Sequence, residues 1–87
     1  MPRQRALSGI HPGTPWPLGS SITPRGVNFS VAAPAADRIE LLIFPAASAP
    51  TPERVIELDA RRHRSGDYWH VELEGVGEGC CYGYRVF

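Results

Sequence analysis

From Tyr68 to Glu74 every second side chain is apolar, with Trp69, Val71 and Leu73 on one parity and His70, Glu72 and Glu74 on the other. A strand points successive side chains to opposite faces, so this period of two predicts a half-buried antiparallel strand and excludes an amphipathic helix. The pattern returns in Val27, Phe29 and Val31, alternating with Asn28 and Ser30, and again in Tyr82, Tyr84 and Val86. Ile39, Leu41 and Ile43 share a face, while Leu42 and Phe44 make the opposite face apolar too, which predicts a strand in the middle of a sheet. Ile56 and Leu58 point inward, with Glu57 and Asp59 outward. Turn-forming clusters at Pro45 to Pro52, Ser65 to Asp67 and Gly75 to Gly79 separate these runs. No segment keeps a helical period over about 10–12 residues. Five short strands at such spacing predict an all-β fold, an immunoglobulin-like β-sandwich of short antiparallel strands with no substantial helix.

The first 24 residues read differently. His11 to Gly19 carries Pro12, Pro15 and Pro17, which withhold backbone donors and forbid a helix or a central strand. Residues 1–24 are therefore expected to be an extended Pro/Gly-rich lead-in, and residues 25–87 the sandwich module.

A chain of 87 residues is far short of the ~250 that a (β/α)8 catalytic barrel needs. Its nine basic residues are all arginine and are balanced by nine acids, so no overall field favours nucleic acid or an anionic membrane. The run Arg61-Arg62-His63-Arg64 reads as a solvated turn rather than a phosphate site. Cys80 and Cys81 are adjacent, a spacing unlike metal-ligand pairs or the framework of small secreted domains, and two reduced thiols fit a cytoplasmic protein. Neither a signal peptide nor a membrane span is expected, since residues 1–24 hold no sustained apolar run.

Five blocks occur in order: Pro17-Leu-Gly19, Gly26-Val-Asn-Phe-Ser-Val31, Ala36-Asp-Arg-Ile-Glu-Leu-Leu-Ile-Phe44, Gly66-Asp-Tyr-Trp-His70 and Gly79-Cys-Cys-Tyr-Gly-Tyr-Arg-Val86. Together they resemble the N-terminal domain of bacterial glycogen-debranching enzymes and isoamylases, a family-48 carbohydrate-binding module. That resemblance implies a β-sandwich placed before a barrel that hydrolyses α-1,6-glucosidic branch linkages. It also implies that this chain is C-terminally truncated relative to the family. The implied function is a non-catalytic accessory module that supports the catalytic barrel and helps present branched α-glucan. The alternative is a free-standing α-glucan-binding module. The implied partners are that barrel and branched α-glucan.

No residue is assigned a catalytic role. Glycoside hydrolysis uses two carboxyl groups flanking the bond, and Glu72 and Glu74, about 7 Å apart by strand rise, read instead as the solvated face of their strand. Sugar binding asks for aromatic rings against which a pyranose can stack. Phe29, Trp69, Tyr82 and Tyr84 all lie on apolar parities and are expected to pack in the core. Trp16 stands in the proline segment with no parity to bury it, and is the single carbohydrate-binding candidate, set against a role as a plug over the sandwich edge. Glycogen-sensing relatives of the module use two tryptophans and a lysine, and this chain has no lysine. His11, His63 and His70 show no metal-ligand spacing, and neither a metal nor a cofactor is expected. With net charge zero and apolar groups such as Phe44 and Phe87 left uncovered, the isolated domain is expected to self-associate.

Overall fold

A computed structural model describes residues 9–77 and 79–87. Its elements are β1 (Ile10–His11), β2 (Gly19–Ile22), β3 (Gly26–Ala32), β4 (Ile39–Phe44), β5 (Arg54–Leu58), β6 (Arg64–Ser65), β7 (Tyr68–Glu74) and β8 (Cys81–Val86), with no helix among the described residues. The larger sheet runs β1-β7-β3-β2, and β6 shares the β1 edge of β7; the smaller runs β5-β4-β8. All pairings are antiparallel. The chain changes sheet after β3, after β5 and after β7, so neither sheet is built from consecutive strands alone.

The five strands expected from alternation are β3, β4, β5, β7 and β8, and β4 is central in its sheet as its two-sided apolar pattern requires. The inward parities of both sheets meet in one core of Val27, Phe29, Ile39, Leu41, Ile43, Ile56, Leu58, Trp69, Val71 and Leu73, with Ala36 beside them. Each large side chain buried there contributes roughly 1.5–3 kcal/mol against the entropy of ordering the chain. Trp69 is 1% exposed, and its indole N–H donates to the Ala33 carbonyl at 3.2 Å. Phe29 meets Tyr82 edge-on at 4.8 Å between ring centroids, and Tyr82 meets Tyr84 at 5.9 Å, so these aromatics serve the core.

The lead-in differs from its expectation. Residues 1–8 lie outside the described residues, but Ile10–His11 and Gly19–Ile22 are edge strands of the larger sheet. Proline explains both the position and the weak signal. An edge strand can carry a neighbouring residue without a backbone donor, whereas a central one cannot. In β2 the pairing is carried by the backbone of Gly19, Ser20 and Ser21, which leaves no apolar alternation to read.

β8 is an edge strand, yet its end is tied down: the Phe87 carbonyl accepts from Asp37 N–H at 2.8 Å and Phe87 N–H donates to the Arg38 carbonyl at 2.8 Å. The Arg38 guanidinium lies 3.9 Å from the Phe87 ring centroid, a cation–π contact.

Candidate functional site

Residues 12–17 cross the outer face of the larger sheet as a strap, and polar side chains hold them there. Asn28 Oδ1 accepts from Thr14 N–H at 2.9 Å, and its Nδ2 donates to the Thr14 carbonyl at 3.0 Å. Ser30 donates to the Pro15 carbonyl at 2.6 Å. His70 Nδ1 donates to the Pro12 carbonyl at 2.7 Å, while Ser65 donates to His70 Nε2 at 2.8 Å. The prolines leave their carbonyls free to accept, and the strands supply the donors. Gly13 fits between them with φ of 71°, and a Cβ there would overlap the Asn28 carboxamide and the backbone of Val71 and Glu72.

This corrects the reading of His70 as a group on a solvated face: it is 4% exposed, and Asn28 and Ser30 are buried with it. His63 also departs from the solvated turn. It is 5% exposed, and its Nδ1 accepts from Asp59 N–H at 2.8 Å. Nδ1 is therefore unprotonated and the proton sits on Nε2, which has no partner among the described residues. Burial, aided by the neighbouring Arg62, holds the His63 pKa below the ordinary 6.5, with Asp59 opposing.

Beyond the strap's anchors the chain presents Trp16, 67% exposed, so it does not plug the sandwich edge. Its ring meets Tyr68 edge-on at 6.5 Å between centroids. Tyr68 is half-buried, and its cross-strand partner Ala32 is exposed.

Glu72 and Glu74 are both engaged elsewhere. Arg25 Nε lies 3.7 Å from Glu72, and His11 Nε2 lies 2.5 Å from Glu74. Two carboxylates side by side on one strand, one against Arg25 and the other against His11, lack the facing geometry of a glycosidase pair. Among the described residues no group of three His, Cys, Asp or Glu side chains is placed to hold a metal ion. Cys80 and Cys81 are free thiols, and burial, with Cys81 alongside, pushes the Cys80 thiol up, away from nucleophilic thiolate character. Tyr84 is also pushed up by burial, then by Tyr82, and its hydroxyl has no hydrogen-bond partner among the described residues.

The outer face of the smaller sheet is different in kind. Leu42 pairs with Val55 and Gly83, and Phe44 pairs with Cys81, so an aliphatic and aromatic strip runs along it. Val55 is exposed and Leu42 and Phe44 are half-buried. The Glu40–Arg85 ion pair, 2.8 Å, borders the strip.

Strap-anchoring Asn28, Ser30 and His70 escaped the sequence reading because polar side chains on an outward parity look solvated. The available signal was a proline-rich stretch of spare carbonyls close in sequence to a strand bearing Asn and Ser donors.

These features define a class: a small all-β module of two antiparallel sheets packed face to face around one core. The chain belongs to the carbohydrate-binding module 48 family, the isoamylase N-terminal domain, whose family model matches residues 17–87. It is 40% identical over 80 residues to a glycogen debranching enzyme of Klebsiella pneumoniae (strain 342), covering 92% of this chain and 11% of that protein. It is 36% identical over 90 residues to the chloroplastic isoamylase 1 of Oryza sativa subsp. japonica, covering 98% of this chain and 11% of the relative. The chain thus spans about a tenth of the length of these proteins. In fold it resembles the catalytic module of the glycogen-degrading pneumococcal virulence factor SpuA, with a TM-score of 0.64 at 15% identity over 97% of this chain and 12% of that one.

Proposed function

We propose that this chain is the non-catalytic accessory module of an enzyme that hydrolyses α-1,6-glucosidic bonds in glycogen or a related glucan. It packs on the catalytic domain of that enzyme and supports presentation of branched α-glucan to it. The observation that carries the reading is the apolar strip Leu42, Phe44 and Val55 on the outside of a strand whose other face is already core. A strand apolar on both faces is a strand covered on both faces, and relatives about nine times longer supply a covering domain. The free thiols of Cys80 and Cys81 support a reducing compartment, the cytoplasm.

A chimera tests this: the Klebsiella debranching enzyme with its matching N-terminal segment replaced by this chain. The chimera is expected to remain active, and Leu42→Glu or Val55→Glu is expected to lower its melting temperature more than that of the isolated chain. Equal effects in both would count against docking through this strip. The isolated chain is expected to release no reducing sugar from glycogen or pullulan; release abolished by Glu72→Gln would overturn the non-catalytic assignment. With the strip uncovered, the isolated chain is expected to self-associate, which sedimentation equilibrium reads directly.

A further inference from the structure

We infer that Ser65 is an activated nucleophile and a site of acyl modification, its hydroxyl prepared by His70 and His70 in turn by the Pro12 carbonyl. The inference is independent of the accessory-module reading and concerns a chemistry that reading does not use.

The protons along these three groups follow from what each can donate. A peptide carbonyl only accepts, so the 2.7 Å contact between Pro12 and His70 Nδ1 requires a proton on Nδ1. In the neutral ring Nε2 then carries a lone pair and can only accept, so the Ser65 hydroxyl 2.8 Å away donates to it. The order is nucleophile, base and orienting acceptor, the arrangement that makes a weak hydroxyl reactive.

The hairpin places the pair. Gly66, with φ of 61°, and Asp67 form the two-residue turn between β6 and β7. Ser65 therefore pairs with Tyr68, and His70 N–H donates to the His63 carbonyl at 2.8 Å. Ser65 and His70 become diagonal neighbours on one face of the sheet.

Access separates this pair from the bonds that hold the strap. Asn28 and Ser30 are buried and bond the strap directly. Ser65 is exposed, and its hydroxyl bonds the ring nitrogen of His70 that faces away from the strap. A Cβ added at Gly66 would meet nothing within 4 Å, so the approach beside Ser65 is open. A reagent reaches Oγ from solvent while the base behind it is buried.

The same exposure sets the substrate class. The developing oxyanion is left to water, so the donors that react are those with good leaving groups, aryl esters above all. Half-buried Tyr68 beside Ser65 suits an apolar donor. In the step, Oγ attacks the ester carbonyl, the Oγ–C bond forms and the bond to the aryloxide breaks. The hydroxyl proton passes to His70 Nε2 and from there to the aryloxide, leaving Ser65 as an ester.

The test is acetylation of the 87-residue chain by p-nitrophenyl acetate, with the site mapped by peptide mass spectrometry. Ser20 is also exposed and has no histidine bond among the described residues, so it is the internal reference. Ser65 is expected to react about 100-fold faster than Ser20, the contribution of a positioned general base. Ser65→Ala is expected to remove the fast reaction. His70→Gln keeps a donor and an acceptor but no base, and is expected to lower Ser65 to the rate of Ser20. The Trp69 indole NMR signal, bonded to the Ala33 carbonyl, verifies the fold of each variant. Should His70→Gln lose that signal, wild type in urea replaces it: Pro12 and His70 lie 58 positions apart, and unfolding is expected to abolish the rate difference between the serines. Equal rates at Ser65 and Ser20 in the folded chain, a fast reaction that survives Ser65→Ala, folded His70→Gln or urea, or no ester at Ser65 would each overturn the inference.

Discussion

Asn28 and Thr14 exchange two hydrogen bonds, one in each direction, between a side-chain carboxamide and the backbone N–H and carbonyl of one residue. The carboxamide here replaces a neighbouring strand: it offers one donor and one acceptor, as a backbone would, and pairs an irregular segment to the sheet face. Asn28→Ala removes both partners at once. It is expected to destabilise the chain by about 1–3 kcal/mol and to free the strap, so urea denaturation should show a lower midpoint and the Trp16 indole resonance should sharpen. An unchanged midpoint would show that the strap contributes nothing to stability.

Trp69 carries a larger share. Trp69→Ala opens a cavity between the sheets and strands the Ala33 carbonyl, and is expected to cost ~3–5 kcal/mol. For so small a domain this approaches total stability, and far-ultraviolet circular dichroism at room temperature should show a large unfolded fraction.

His63 makes stability depend on pH. Its folded pKa lies below the ordinary 6.5, first through burial and then through Arg62, so the unfolded chain binds the proton more readily than the folded one. Stability is therefore fully present above 6.5 and is lost as pH falls from there through the depressed folded value. Urea midpoints at about pH 7.5 and about pH 5.5 are expected to differ more in the wild type than in His63→Gln. Equal slopes in the two proteins would remove His63 as the cause.

Tyr84 offers a gain. Its hydroxyl is buried without a partner among the described residues, and a partnerless polar group costs free energy that an apolar replacement of the same shape does not. Tyr84→Phe is expected to leave stability unchanged or to raise it by up to ~1 kcal/mol. A clear loss in thermal denaturation would reveal a hydrogen bond to that hydroxyl.

The two sets of residues differed in how legible they were, for a physical reason. Burial of apolar groups on one parity leaves a periodic trace, so β3, β4, β5, β7 and β8, the mid-sheet place of β4 and the inward aim of Trp69 could all be read from alternation. The short strands β1, β2 and β6 and the strap are held mainly by hydrogen bonds to backbone, and such bonds impose no period on side chains. Asn28, Ser30 and His70 therefore looked solvated although each is buried. His63 is hidden in a run of arginines because what draws it inward is its ring's bond with Asp59 N–H and its backbone bonds with Asp59 and His70, none of which leaves a periodic trace. The exposure of Trp16 follows from the same strap, since the anchors that fix its base also turn it away from the core.

That strap has a consequence for the order in which the molecule is assembled. Its anchors lie on two strands, Asn28 and Ser30 on β3 and His70 on β7, and cross-strand partners Ser30 and His70 are forty residues apart in sequence (70 − 30). Pairing over such a separation is slow compared with local turns, because the intervening chain must be ordered before the contact forms. Until β3 and β7 are side by side, the proline segment has only part of its donor set and no fixed seat. Trp16 thus gains a fixed seat only where β3 and β7 are already paired, so the face that carries it depends on a contact between distant parts of the chain.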